Sequence, residues 1–139
     1  MDRYNKNEYD IKYHVIWVTR FRDKLLNGSI AVRADELIKL GCEAKNITIL
    51  QGDIGRGHIH LLLSSHPNIA PNESIKYLKT HLSELLQDEF PELKRRYWGQ
   101  RLWARGYFCA TTGDVTGDEI RNYIESEEKK DRFEIEDWV

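Results

Sequence analysis

The chain has 139 residues, of which 40% are hydrophobic, and this predicts one domain with a buried core over residues 1–139. No apolar run approaches the roughly 18 residues that a membrane-spanning helix needs, and the N-terminus lacks the apolar run of a secretory signal. We therefore expect a cytoplasmic protein without membrane contact. The net charge of −2 gives no general indication of an anionic partner.

The order of the predicted elements indicates a fold class. β-branched and aromatic residues predict four strands, and apolar residues at helical spacing predict three helices. The strands are Ile11–Thr19, Lys45–Gln51, His58–Ser64 and Arg101–Thr112. The first helix follows a turn and cap at Asn27–Ser29, carries an apolar stripe from Val32 and stops at Gly41; the others cover the segment from Asn72 to Leu86, and Thr116 to about Lys130. This β-α-β-β-α-β order, followed by one more helix, is typical of an α+β ferredoxin-like fold. Such a fold has an antiparallel sheet with two helices on one face and the other face open.

A His-x-His sequence lies in the third predicted strand. Side chains alternate across a strand, so His58 and His60 point to one face and Ile59 points to the other. The third strand is central in this fold, which places the two imidazoles in the middle of the open face. Adjacent imidazoles are a natural start for a metal site, although two of the five histidines could also fall there by chance.

The last predicted helix carries two residues that could complete such a site. Tyr123 and Glu127 are four residues apart, so they are neighbours on one face of the helix. If this helix lies over the open face, Glu127 can join the two histidines in a site suited to Mg²⁺ or Mn²⁺. The alternative is that Tyr123 is a packing aromatic and Glu127 a solvated charge.

Four blocks of the chain, in the same order, resemble the single-tyrosine HUH transposases, the TnpA proteins of the smallest bacterial and archaeal insertion sequences. The blocks are Tyr13–Arg22, Gly57–Ser64, Leu102–Phe108 and Ile120–Glu127. They are similar to the family's opening strand, its histidine-hydrophobic-histidine strand, its last strand and its catalytic helix. The resemblance implies that Tyr123 is the nucleophile. It also implies that His58, His60 and Glu127 bind the divalent metal, Mg²⁺ or Mn²⁺.

Two positions depart from the family pattern. The family often has an acidic residue before its first histidine, where this chain has Gly57. It also commonly has glutamine four residues after the tyrosine, where this chain has Glu127. Glutamate is at least as good a ligand for a hard cation, so we expect that the second change does not abolish activity.

The resemblance also implies a reaction and its partners. Attack of the tyrosine on a DNA phosphodiester would give a 5′-phosphotyrosine and a free 3′-hydroxyl, while the metal polarises the scissile phosphate. The implied substrate is single-stranded DNA with hairpin ends. The implied assembly is a homodimer with shared active sites, in which Tyr123 of one chain lies beside the histidines of the other.

Basic residues along the chain are candidates for DNA contacts. The stretch from Lys76 to Arg105 contains seven basic and four acidic residues, whereas the chain from Asp114 onward is acidic. A locally basic surface can bind phosphates, although Lys94-Arg95-Arg96 could equally be a solvated loop. The candidates are Arg20, Arg22, Lys94, Arg95, Arg96 and Arg105.

Other functions are compatible with parts of this pattern. A domesticated relative associated with repeated palindromic elements would share these residues and differ only in its DNA partner. A cupin motif would need a glutamate where Ser64 and Ser65 stand, and an iron oxygenase would leave Tyr123 unexplained. An open ferredoxin-like sheet can also be a non-catalytic single-strand binder, but such modules present aromatic residues where this strand presents histidines.

Overall fold

The elements follow the predicted order along the chain. The computed structural model describes residues 10–111 and 118–126, and residues 118–126 form the last described helix, α4. The elements before α4 are β1 (Ile11–Val18), a 3₁₀ turn (Arg20–Arg22), α1 (Gly28–Ala44), β2 (Thr48–Ile54), β3 (His58–Ser65), α2 (Pro71–Glu89), α3 (Pro91–Tyr97) and β4 (Phe108–Thr111). No helix in these described ranges is long and apolar enough to cross a membrane.

The four strands form one antiparallel sheet in the order β2-β3-β1-β4. This arrangement confirms the predicted α+β, ferredoxin-like plan. It also confirms that β3 is a central strand, between β1 and β2. The histidine-bearing strand is therefore held by backbone hydrogen bonds on both sides, which fixes the direction of its side chains.

One face of the sheet forms the core together with α1 and α2. Apolar side chains alternate along the two central strands and are almost fully buried: Tyr13, Val15 and Trp17 of β1, and Ile59, Leu61 and Leu63 of β3. They pack against buried residues of the helices, which include Ala34, Leu37, Ile38, Ile75, Leu78, Leu82 and Leu86. Because side chains alternate, the intervening residues of both strands point to the opposite face.

Helix α4 lies against that opposite face. The ring of Tyr123 contacts the ring of Phe108 in β4, with 5.6 Å between the ring centroids. The guanidinium of Arg22 donates a hydrogen bond from Nη1 to the carbonyl oxygen of Ile124 at 3.0 Å. These contacts put the tyrosine-bearing helix over the sheet of its own chain.

The second strand differs from its predicted bounds. It begins at Thr48 rather than Lys45 and continues to Ile54, through residues predicted as a glycine-rich connection. The strand continues because Gly52 and Asp53 pair with β3, and an irregularity between Ile49 and Gln51 shifts the register. The glycine-rich sequence therefore predicts the end of β2 at Gln51, three residues before its actual end at Ile54.

The fourth strand is much shorter than predicted. It covers Phe108–Thr111 rather than the whole span from Arg101, and Thr112 lies outside the described residues. Leu102 and Trp103 are buried and so imitate a strand pattern. They lie in an irregular segment that crosses the end of β1, where Trp103 forms an isolated bridge with Thr19.

The helices also differ in detail. The helix α1 continues past Gly41 to Ala44, and α2 begins at Pro71 with Ala70 as its N-cap, not Asn72. The helix α3 was not predicted. It contains Lys94-Arg95-Arg96, so the loop interpretation of this segment is wrong, although all three side chains are exposed. The predicted bounds of the last helix, Thr116 and Lys130, lie outside the described residues.

Candidate metal and nucleophile site

The two histidines of β3 point to the face that α4 covers. In the β1–β3 register, His58 lies opposite Val18 and His60 lies opposite Ile16. Residues directly opposite each other in an antiparallel pair share a face. The structure therefore brings the two imidazoles to one side of the sheet, as the sequence predicts.

The ring of His58 occupies the space above Gly55. A Cβ atom added at Gly55 would lie 2.3 Å from Cε1, 2.7 Å from Nδ1 and 2.9 Å from Nε2 of His58. Glycine at position 55 is therefore required for this ring position. Burial lowers the pKa of His58 below its ordinary value of 6.5, while the Asp53 carboxylate raises it and the Arg22 guanidinium lowers it. The neutral imidazole, which is the form that binds metals, is thus favoured.

The ring of His60 contacts a third histidine. Its Nε2 is 3.0 Å from Nδ1 of His14 in β1, within hydrogen-bonding distance. Burial lowers the pKa of His60, the charge of His14 lowers it further, and Asp53 raises it. Asp53 lies directly opposite His60 in the β2–β3 register. The same face therefore carries an exposed carboxylate next to the imidazoles.

Tyr123 lies on the same face, two strands away from His60. The residues His60, Ile16 and Phe108 are opposite one another across β3, β1 and β4, and Tyr123 packs on Phe108. With strands about 4.8 Å apart, Phe108 is about 10 Å from His60 across the sheet. The Tyr123 side chain is half-buried. The nucleophile candidate and the histidine pair thus share one side of the molecule.

The segment after β1 holds α4 in place through a strained backbone. Phe21 and Arg22 have φ angles of 58° and 56°, in the left-handed region that non-glycine residues rarely adopt. This conformation directs Arg22 toward α4, where it binds the Ile124 carbonyl. A Cβ atom at Gly57 would lie 3.3 Å from Nε of Arg22. The glycine that replaces the family's acidic residue therefore leaves room for this arginine.

The donor atoms suit a divalent metal only in part. His58 and His60 provide neutral, half-buried imidazoles on one face, which is the donor chemistry that such an ion requires. Glu127, the predicted third ligand, lies outside the described residues. Within the described ranges, no three histidine, cysteine, aspartate or glutamate side chains already converge on one metal position.

The candidate DNA-contacting residues occupy several surfaces. Arg20 donates a hydrogen bond to Oε1 of Gln100 at 3.3 Å, and the exposed Arg96 forms an ion pair at 3.4 Å with the half-buried Asp23. The remaining candidates on α3, Lys94 and Arg95, and the candidate Arg105 in the segment before β4 are exposed. Arg22 is used in the contact with α4. A separate cavity of about 780 Å³ lies between α2 and residues 99–107, and its lining includes Lys76, Lys79, Lys94 and Arg101.

Sequence reasoning did not single out His14 or Asp53. Alternation along β1 could have placed His14 on the face opposite Val15, but its contact with His60 depends on the register between two strands. The three glycines around Asp53 predict a connection at that point of the chain, not a strand. The positions of both residues next to the histidine pair follow only from the pairing of the strands.

These features define a class of protein. A ferredoxin-like sheet whose central strand presents a histidine pair, on the face covered by a tyrosine-bearing helix, is the arrangement expected of a tyrosine transposase. Residues 7–127 match the family of IS200-like transposases. The chain therefore belongs to this family.

Individual relatives agree with that assignment. The chain is 30% identical over 125 residues to the transposase of insertion sequence element IS200 from Salmonella typhimurium, covering 90% of this chain and 82% of the relative. It is 29% identical over 123 residues to the ISDra2 transposase TnpA from Deinococcus radiodurans, covering 88% of each.

Solved structures support the same fold. A crystal structure described as a transposase from Deinococcus radiodurans superposes with a TM-score of 0.81 at 26% identity, covering 91% of this chain and 97% of that chain. A REP-associated tyrosine transposase bound to a REP hairpin superposes with a TM-score of 0.53 at 11% identity, covering 88% and 68%. The second likeness concerns the fold alone.

Proposed function

We propose that this transposase-family chain is a metal-dependent DNA strand transferase that cuts and rejoins single-stranded DNA through Tyr123. The observation that carries the proposal is that α4 holds Tyr123 on the sheet face from which His58 and His60 project. A plain single-strand binder would present aromatic rings on the central strands instead.

The proposed reaction is an exchange of phosphate esters. The phenol of Tyr123 loses its proton and its oxygen attacks the phosphorus, which forms a 5′-phosphotyrosine bond. The bond from phosphorus to the 3′-oxygen breaks, and this oxygen takes up a proton to leave as a 3′-hydroxyl. The 3′-hydroxyl of another strand can reverse the step, because one phosphate ester is made for each one lost. His58, His60 and Glu127 would hold Mg²⁺ or Mn²⁺, which supplies charge stabilisation at the scissile phosphate.

The substrate we propose is single-stranded DNA with hairpin ends. The REP-associated neighbour was solved with a hairpin, which supports a structured nucleic acid as partner. Exposed basic side chains on α3 and before β4 could bind the phosphates. The alternative partner is a repeated palindromic element, as in a domesticated relative.

The decisive experiment is to trap the covalent intermediate. We expect the full-length protein, incubated with labelled single-stranded hairpin DNA and Mn²⁺ or Mg²⁺, to give a protein–DNA band that survives denaturation. Tyr123→Phe should abolish this band and keep DNA binding, because the ring that packs on Phe108 remains. The matched control is Tyr77→Phe, which removes the hydroxyl of a tyrosine that stacks on His81 in α2. An undiminished adduct in Tyr123→Phe would contradict the proposal.

We also propose that two chains form a homodimer with shared active sites. Here α4 contacts its own chain through the ring of Tyr123 on Phe108 and through the carbonyl of Ile124, which accepts a hydrogen bond from Arg22. A partner chain offers the same contacts by symmetry. The glycines predicted to act as a hinge, Gly113 and Gly117, lie outside the described residues.

A heterodimer of His58→Ala and Tyr123→Phe chains tests the shared site. If each site combines residues of both chains, one site receives both lesions and the other receives none. About half of the wild-type cleavage should then return, by the symmetry of the pair. If α4 serves its own sheet, every site is damaged. A folded, DNA-binding heterodimer without activity would therefore refute sharing.

A further inference from the structure

The most exposed large hydrophobic side chain in the described ranges is that of Trp98, at the end of α3. It is 86% exposed, whereas Trp17 and Trp103 are almost fully buried. Burial of an aromatic side chain is favourable, and this indole is left in water instead. Packing within the chain therefore does not explain why a tryptophan occupies this position.

The backbone conformation does not explain the tryptophan either. Trp98 caps the C-terminus of α3 with φ 55° and ψ 33°, in the left-handed region where glycine or asparagine is the usual residue. Residues held in such strained conformations cluster at ligand-binding and active sites. The exposed ring and the strained backbone together point to a role of Trp98 in binding.

Hydrogen bonds on both sides of Trp98 fix its position on the molecule. Before it, the hydroxyl of Tyr97 donates to the carboxylate of Asp23. After it, Oε1 of Gln100 accepts a hydrogen bond from Arg20 at 3.3 Å. The backbone N–H of Gln100 also donates to the carbonyl oxygen of Tyr97 at 2.9 Å, across Trp98. The indole is therefore held on a fixed turn beside the segment between Arg20 and Asp23.

That segment also contacts the helix of the proposed nucleophile. Arg22, which lies within it, donates a hydrogen bond to the carbonyl oxygen of Ile124, the residue after Tyr123, at 3.0 Å. Two sets of contacts thus connect the turn that carries Trp98 with α4. A DNA strand bound at Tyr123 has to extend only along this segment to reach the indole.

The last turn of α3 gives the surface next to Trp98 a positive charge. It carries the exposed Lys94, Arg95 and Arg96, whereas the first turn carries one acidic residue, Glu92. Basic side chains bind phosphates, and exposed aromatic rings stack on bases whose faces are open. The bases of a paired stem are already stacked on one another, so this combination favours unpaired nucleotides.

We propose that the indole of Trp98 stacks on an unpaired base of the DNA strand that flanks the scissile phosphate, while Arg95 binds a neighbouring phosphate. The inference rests on the proposed function, since it adds a contact to that same substrate. Every base has a face that can stack, so this contact holds the strand without reading its sequence.

Titration of the full-length protein with oligothymidylate, an unstructured single strand, tests the contact without measuring cleavage. We expect Trp98→Ala to weaken binding about tenfold, which is within the contribution of one base–aromatic stack. The salt dependence of binding should stay unchanged, because loss of the ring alters no phosphate contact. The matched control is Leu40→Ala, which removes an exposed apolar side chain from α1 and should bind like the wild type.

Two comparisons show whether the ring stacks on unpaired bases. Oligothymidylate should quench part of the wild-type tryptophan fluorescence, and Trp98→Phe should lose this part while it keeps most of the affinity, because a phenyl ring still stacks. A blunt-ended hairpin without unpaired flanks should bind Trp98→Ala and the wild type almost equally. Equal weakening for both DNAs would refute the recognition of unpaired bases.

Trp98→Gly separates stacking from a role in the fold. Glycine adopts a φ angle of 55° more readily than other residues, and the ring that it removes is exposed. We therefore expect an unchanged or higher melting temperature, with oligothymidylate binding as weak as in Trp98→Ala. A lower melting temperature, together with weaker binding of both DNAs, would overturn the proposal, because the ring would then support the fold.

The failures of the two proposals have different signatures. If Tyr123 forms its covalent adduct while Trp98→Ala binds oligothymidylate like the wild type, the proposed function stands and the role of Trp98 is refuted. If Trp98→Ala weakens binding but the wild type forms no adduct, the single-strand contact stands and strand transfer is refuted. A changed association state of DNA-free Trp98→Ala in sedimentation, with unchanged DNA binding, would assign the indole to a contact between chains and overturn the proposal.

Discussion

A single methyl group on Gly55 should displace His58 without unfolding the protein. Gly55 follows β2 and packs beneath the His58 ring. Its φ angle is outside the left-handed region, because the described glycines with positive φ are Gly28, Gly99 and Gly106. The backbone can therefore accept alanine at this position. The obstacle is only the imidazole, which is half-buried and can rotate away.

The size of the displacement follows from the contact distances. In Gly55→Ala the new Cβ would meet Cε1 of His58 at 2.3 Å, whereas ordinary van der Waals contact begins at 3.4 Å. The ring must therefore move by at least about 1 Å, and a misplacement of that size can reduce catalysis about 100-fold. An off-rotamer side chain costs about 1 kcal/mol, and the Gly-to-Ala change recovers about 0.4–1 kcal/mol through the unfolded state. The melting temperature should accordingly change by less than about 5 °C.

The assay is covalent-adduct formation at several metal concentrations, with thermal unfolding measured in parallel. Gly52→Ala is the matched control, because Gly52 lies in β2, three residues before Gly55, and its Cβ would meet Leu61 of β3 at 3.4 Å, an ordinary contact. We expect the control to cleave normally and Gly55→Ala to require more metal and to cleave about 100-fold more slowly. Equal cleavage by the two folded variants would refute the reasoning that the His58 position seen here is the active one.

Three further predictions concern the DNA surface, the metal ligands and pH. Replacing Arg95 and Arg96 together by alanine should weaken DNA binding. The slope of the logarithm of the binding constant against the logarithm of the salt concentration should also decrease, by an amount equivalent to at most about two phosphate contacts, as a salt titration measures. Glu127→Gln should retain metal-dependent cleavage better than Glu127→Ala, because an amide oxygen can still coordinate; equal activity across a Mg²⁺ titration would exclude this ligand. In the metal-free protein the pKa values of His58 and His60 lie below 6.5, so the unfolded chain binds protons first as the pH falls. The free energy of unfolding should therefore decrease below about pH 6.5, and a protein with both histidines replaced by alanine should lose this dependence.

The fold was predictable from local patterns where an element has one buried face. The alternation in β1 and the helical stripe from Ile75 to Leu86 both lead to core positions that the structure confirms. The errors occur where tertiary contacts decide the backbone. Gly52 belongs to β2 because its backbone pairs with that of Leu61 in β3. Trp103 is buried outside the strands of the sheet, where its Nε1 donates a hydrogen bond to the carbonyl oxygen of Lys79. Neither pairing is visible in a local window of sequence.

The helix α3 could have been recognised from its own residues. Proline at its first position and Leu93 and Tyr97 at a spacing of four residues are ordinary helix signals, and both side chains are buried. The run Lys94-Arg95-Arg96 between them is equally typical of a charged loop, so charge alone does not distinguish the two. In the helix these three side chains are exposed and point in different directions: Lys94 lines the cavity beside α2, and Arg96 pairs with Asp23.

In the candidate site, too, some features follow from the local sequence and others depend on strand pairing. His58 and His60 share a face because of strand alternation, which two residues are enough to determine. The contact of His60 with His14 depends on the pairing of Ile16 with His60, across 44 residues of chain. A His-x-His sequence can therefore identify two candidate ligands on one face, whereas a contact with a neighbouring strand, such as that of His60 with His14, follows only from the register.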